Sequence, residues 1–152
     1  MTTPTSTCVA LWSAIVLLIV PATIAGASGQ TDMGNLTIQV TGLRVTKGYL
    51  VIMVSDSAAT FFTRERSFAV VRVRPSGTSA TVSLRGIPRG TYAVSAFLDE
   101  NANNTLDRTV KGIPKERIGF SNNPRVKNPP PPFERCAFVL DAADMTLTVD
   151  LR

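Results

Sequence analysis

Histidine is absent from all 152 residues. Its imidazole is the side chain whose ordinary pKa allows proton exchange near neutrality, so serine–histidine and cysteine–histidine catalysis are ruled out. Cysteine is scarce too, with only Cys8 and Cys136 present. Cys8 lies ahead of an apolar run that reads as an export signal, so a processed chain keeps one thiol and no internal disulfide. Cys136 then reads as a buried, inert thiol in a strand near the C-terminus. Aromatic residues make up 7% of the chain; Trp12 falls in the same N-terminal stretch, and the tyrosines are Tyr49 and Tyr92. A stacking platform for sugars is therefore poorly supplied. Glycine-rich phosphate loops, long 3.6-residue periodicity and internal repeats are also missing. These absences point away from an enzyme and from a helical fold.

Among the features present, Val9 to Val20 is apolar except for Ser13, and Ala25-Gly26-Ala27 satisfies the small-residue rule for signal cleavage. Residues 1–27 are read as a signal peptide, Ser28 as the mature N-terminus and 28–35 as a short linker to a single domain over 36–152. Met1 to Cys8 holds no Lys or Arg. The alternative is an uncleaved N-terminal anchor. It would rely on the 17 residues from Cys8 to Ile24, interrupted by Pro21 and Thr23, at the lower limit for a span. The expected location is periplasmic or extracellular, with no stable span after cleavage.

The net charge of +5 is unevenly distributed. Residues 108–135 hold seven Lys/Arg against Glu116 and Glu134, while 136–152 hold Arg152 against three Asp. For an exported chain, a basic loop suits an anionic envelope component better than nucleic acid. Lys111, Lys115, Arg117, Arg125 and Lys127 are the candidate contacts. A solvated loop with no partner is the plain alternative.

Period-two alternation recurs along the chain. Leu36, Ile38 and Val40 alternate with the polar Thr37, Gln39 and Thr41, and Leu50, Ile52 and Val54 form the next strand after the turn at Lys47-Gly48. Ser57 to Phe62 reads as a short helical turn that brings Phe61 or Phe62 to the core. Ala69 to Val73 and Ala80 to Leu84, joined at Ser76-Gly77, read as a hairpin with Arg72, Arg74 and Arg85 toward solvent. Gly86 to Gly90 breaks the pattern before the apolar strand Thr91 to Leu98. Cys136 to Leu140 and Thr146 to Leu151 complete the set. This predicts an all-β, antiparallel two-sheet sandwich of about seven strands with one long irregular loop over 99–134. A connection of that length is normally functional or anchored, and Phe120 and Phe133 are placed to pin its ends.

The segment Asp99 to Asp107 places oxygen-bearing residues at alternate positions: Asp99, Asn101, Asn103, the Thr105 carbonyl and Asp107. That order matches the front of a calcium loop, because a turning backbone can aim several hard oxygens at one point. The twelfth position is Val110 instead of a bidentate Glu, and a strand leads in, so this is no EF-hand. Glu100 is a spare ligand. Calcium is the one cofactor the pattern points to, with an affinity of ~10⁻⁴–10⁻³ M. A metal-free Asx-rich turn, closed by side chains bonding their own backbone, is the other reading.

Taken together, Gly42-Leu43, Lys47-Gly48, Gly86-Ile-Pro-Arg-Gly-Thr-Tyr-Ala-Val94, Ala96-Phe-Leu-Asp-Glu-Asn-Ala-Asn103, Gly112-Ile-Pro-Lys115 and Gly119-Phe-Ser-Asn-Asn123 form an ordered series. Over roughly residues 34–152 the chain resembles exported bacterial proteins grouped as domain of unknown function 2141. The fold class expected is a transthyretin-like or immunoglobulin-like sandwich, and the resemblance implies a transthyretin-like or carboxypeptidase-regulatory-like one in the cell envelope, with no assigned activity. Members usually carry glycine in the acidic loop where this chain has Ala102 and Asn104. The resulting expectation is a non-catalytic envelope module with a calcium-stabilised turn and a basic contact loop. The alternative is a carbohydrate- or peptide-binding sandwich without metal.

Overall fold

The computed structural model describes residues 32–44, 47–125 and 130–152. The expected signal peptide, Ser28 and Lys127 lie outside the described residues. Among the described residues, eight strands form two sheets. They are β1 (Met33–Thr41), β2 (Tyr49–Ser55), β3 (Ala69–Val73), β4 (Ala80–Pro88), β5 (Gly90–Asp99), β6 (Ile118–Phe120), β7 (Ala137–Leu140) and β8 (Asp144–Asp150). A single-turn helix, α1 (Phe133–Cys136), precedes β7. Among the described residues, no helix is long and apolar enough to cross a membrane.

One sheet has the order β4-β1-β8; the other runs β3-β2-β5-β6, with β7 also pairing β5. The all-β sandwich follows from the alternation in the sequence: Leu36, Ile38 and Val40 of β1 point at Leu50, Ile52 and Val54 of β2 and at Val94, Ala96 and Leu98 of β5. Truncating one of these, such as Ile52→Ala, removes about 2–5 kcal/mol of stability through lost burial and the cavity left behind.

Four details depart from the sequence reading. First, β3 and β4 are not a hairpin. β3 pairs with β2 and β4 with β1, so Ser76-Gly77 carries the chain from one sheet to the other. Both strands alternate toward the same interior, which hides their partners from a period count. Second, β1 and β8 are parallel, whereas the other strand pairs are antiparallel. Third, β1 begins at Met33, and Met33, Gly34 and Asn35, read as linker, already face Pro88, Ile87 and Asp144. Fourth, 99–134 is no uninterrupted loop, because β6 lies within it and pairs Ser95 to Phe97 of β5.

β6 belongs to a second core on the outer face of the five-stranded sheet. Val51, Met53, Ala93 and Phe97 from the sheet meet Ile118, Phe120 and Cys136, with Phe61, Phe62, Leu106 and Phe133 packed around them. This explains why β2 and β5 read as continuous apolar runs, since both their faces are covered. Phe120 and Phe133 do attach the long connection, and Phe61 packs 5.9 Å from Phe120 and 5.8 Å from Phe133. The 57–62 segment turns as expected and leads into a short 3₁₀ turn, Arg64–Arg66.

Candidate functional site at the end of the central strand

β5 ends on Asp99, whose side chain has no exposed area. It faces Tyr49 across the sheet. Gly48, at φ +82°, sits so close that a Cβ there would lie 2.0 Å from the Asp99 carbonyl oxygen. Glycine is required on both counts.

A buried carboxylate needs donors, and the following loop supplies them. Asp99 Oδ1 accepts from the Asn103 backbone N–H at 3.0 Å, and Oδ2 from the Asn104 N–H at 2.9 Å. Asn101 Oδ1 accepts from the same Asn103 N–H, and Asn103 Oδ1 accepts from the Thr105 N–H at 2.8 Å. These are successive Asx turns. They require left-handed backbone at Ala102 (φ 62°) and Asn104 (φ 65°), the two places where glycine was expected of relatives. Asp107 receives the Nδ2 groups of Asn101 and Asn103 at 2.7 and 3.2 Å.

Of the five residues singled out as ligands, Asn101, Asn103 and Asp107 thus converge through side chains. Asp99 holds loop amides, and Thr105 lends its own. Above this corner the Arg72 guanidinium lies over the Tyr49 ring, 3.2 Å from its centre, and 3.9 Å from Asp99 Oδ2. Arg74 donates to the Tyr49 hydroxyl, and this bond together with its charge holds the phenol below its ordinary range.

Glu116 is the residue that sequence reasoning missed. It counted there as one charge in a basic segment, yet it is buried, with Oε1 accepting from the Glu100 N–H at 3.0 Å and Oε2 from the Asp107 N–H at 3.2 Å. One carboxylate thereby joins both ends of the acidic turn. Burial pushes its pKa up, the two backbone bonds oppose the shift, and the charges of Asp99 and Asp107 add to it. The only sequence signal was an acid lodged between Lys115 and Arg117, which is also what a solvated charge run looks like.

Beyond Asp107 the chain forms a small hairpin. Arg108 and Pro114 form an isolated bridge, Thr109 N–H donates to the Ile113 carbonyl, and Gly112 N–H closes the turn on Thr109. Val110 at the tip is wholly exposed and Ile113 about half exposed, beside exposed Lys111 and Lys115. Arg117 is half-buried and donates Nη1 to the Gly42 carbonyl, so it fastens the hairpin base to the sandwich. Arg125 is exposed further along.

Residues 38–148 match the model of a family described as an uncharacterized protein conserved in bacteria, DUF2141. The chain belongs to this family. No curated protein and no solved structure matches it. The match runs from β1 into β8 and takes in the whole acidic turn, Glu116 and the hairpin. Among the described residues of this DUF2141 domain, no group of three or more His, Cys, Asp or Glu is gathered to hold a metal. Oxygens for a cation would have to come from the Asn101 and Asn103 amides and from backbone carbonyls, alongside Asp107. Cys136 is buried, and desolvation raises its thiol to about 11.

Proposed function

We propose that this DUF2141 domain is a non-catalytic, exported module of the bacterial envelope, in which the self-bonded turn 99–107 and Glu116 hold the hairpin 107–115 rigidly against an anionic surface. The observation that carries this reading is the tip itself. Val110 is fully exposed beside the exposed Lys111 and Lys115, on a hairpin whose root is bonded at Asp107, Glu116 and Arg117. An exposed apolar side chain beside cations suits the boundary between anionic headgroups and acyl chains, where each cation near the surface is worth about 1 kcal/mol. The apolar segment 9–20 and the cleavage pattern at 25–27 support export.

Co-sedimentation with vesicles tests the proposal. Binding to vesicles rich in anionic lipid should exceed binding to zwitterionic ones and fall as salt rises. The double change Lys111→Glu and Lys115→Glu should abolish it, and Val110→Ser should weaken it at constant charge. Equal binding to both lipid types, or no effect of the charge reversal, sinks the reading.

A second reading of the turn keeps the cation, and it has its own support in the meeting of Asn101, Asn103 and Asp107. Turning the two amides over, at the loss of their bonds to the Asn103 and Thr105 N–H groups, would aim their oxygens beside the Asp107 carboxylate, a set suited to calcium at ~10⁻⁴–10⁻³ M. Calorimetric titration separates the two readings. A saturable heat that Asp107→Asn removes establishes the ion, and a flat titration leaves the turn metal-free.

A further inference from the structure

A cavity of about 230 Å³ opens on the outer face of the five-stranded sheet, between the 62–65 turn and the far end of the acidic loop. Met53 and Phe97 from the sheet and Phe62 and Leu106 from the two loops form its apolar walls, and Thr63, Arg64, Glu65, Asn104, Thr105 and Arg108 line the rest. Apolar walls with a few convergent polar groups are the usual make-up of a small-molecule site.

Three features distinguish this cavity from a packing defect. The first is Phe62, whose φ of 55° places a bulky side chain in the left-handed region. Such backbone costs on the order of 1–3 kcal/mol and gathers at binding sites. Here the strained turn swings the ring edge-on to Phe120, 5.3 Å away, and makes it a wall of the cavity instead of a lid over it. The second is the pair of guanidinium groups. Arg64 donates Nη1 to the Asn104 carbonyl at 2.9 Å, and Arg108 donates Nη1 to the Gly112 carbonyl at 3.1 Å while lying 5.6 Å from the Phe62 ring centre. These bonds orient both groups and use one donor of each five-donor fork. The third is charge: among the described residues, neither arginine forms an ion pair with a carboxylate. Glu65 also borders the cavity, so the lining carries one net positive charge and suits a monoanion better than a dianion.

The geometry points to a binding site for a small monocarboxylate with an apolar body, its tail against Met53, Phe97 and Leu106 and its carboxylate between Arg64 and Arg108. With ~30 Å³ as one water's share of liquid volume, the cavity holds roughly eight waters, the bulk of a short fatty acid or a single-ring aromatic acid. Two guanidiniums fit a carboxylate because their planar donor forks match its two oxygens. This site is separate from the hairpin tip, and its ligand needs neither a membrane nor a metal.

The test is an amide NMR titration of the purified protein with octanoate, with octylamine and 1-octanol as matched cationic and neutral arms. Octanoate should give saturable shifts centred on Met53, Phe62, Phe97 and Leu106. Octanol should bind roughly tenfold more weakly, the loss expected when a partly exposed charge-assisted contact is removed, and octylamine more weakly still. Arg108→Gln, which removes the guanidinium from the Gly112 carbonyl and from the Phe62 ring, should reduce octanoate affinity roughly tenfold, with shifts in the free protein confined to the residues around those two contacts. Leu106→Trp, which fills the space, should abolish binding. Lys111→Glu with Lys115→Glu should leave it intact, which separates this site from the membrane reading. Shifts that do not saturate, equal binding of octylamine, or unaltered affinity in Arg108→Gln would overturn the proposal.

Discussion

Asp99→Asn is the change that most directly tests how the corner is held. The wild-type carboxylate has no exposed area and accepts from Asn103 N–H at 3.0 Å and Asn104 N–H at 2.9 Å. Asparagine keeps one acceptor oxygen and turns an NH₂ toward the other amide; Asn103 N–H retains Asn101 Oδ1, so the donor left unmet is Asn104 N–H when the oxygen stays on Asn103. A bond to a charged acceptor is worth about 1.5–3 kcal/mol, and a buried donor left unmet costs a further 1–3 kcal/mol or so. Relief of the carboxylate's desolvation offsets part of that loss. The net expectation is a loss of about 2–4 kcal/mol, or roughly 6–15 °C in Tm for a domain of this size. Thermal melts followed by circular dichroism, backed by urea titration, read this out. Asp107→Asn is the control. Its carboxylate receives side-chain amides in an exposed setting, so its loss should cost under about 1 kcal/mol. If Asp99→Asn melts within about 2 °C of wild type, or if the two variants lose the same amount, the loop is not organised around Asp99. Equal losses that appear only in millimolar calcium would favour the cation.

Four further outcomes follow from the same geometry. Glu116 has a folded pKa raised above its ordinary value of 4.5, so its contribution is fully present below pH 4.5 and is lost as pH rises through the raised value. The stability of wild type relative to Glu116→Gln should therefore fall as pH rises above 4.5 in parallel urea titrations, and a rise would contradict the burial argument. Ala102→Gly should stabilise the protein by about 0.5–1 kcal/mol, because the left-handed backbone penalty it removes exceeds the added unfolded-state entropy; a lower melting temperature would count against the strain. Gly48→Ala should produce little folded protein, because it combines φ +82° with a Cβ driven into the Asp99 carbonyl; a variant that melts like wild type would show that the β2–β5 corner can shift. Cys136, buried with its thiol raised to about 11, should resist thiol reagents at pH 8 until denaturant is added, and rapid labelling of native protein would show that the second core opens readily.

The acidic turn shows how far pattern reasoning reached. Asp99, Asn101, Asn103, Thr105 and Asp107, placed alternately in the sequence, lie in one folded corner, because Asx side chains act on backbone two to five residues away. The roles within it depended on depth. Asp99 faces inward at a strand end and bonds amides, while Asp107 sits nearer solvent and gathers amide side chains. Glu116 lay beyond the same reasoning because its partners, Glu100 and Asp107, reach it only when the hairpin folds back. Arg117 was grouped with the presented cations, yet it bonds a carbonyl 75 positions earlier in the chain.

Local chemistry was enough to establish strands, an all-β class and the turn-forming residues, since period-two alternation and glycine or Asx conformations depend on near neighbours. Which strand lies beside which, the crossing at Ser76-Gly77, the parallel β1–β8 pair, the second core beneath Phe120 and the arginine-flanked cavity arose only from three-dimensional packing. Such contacts join residues far apart in the chain, and their energy depends on shape and burial that no local run of residues contains.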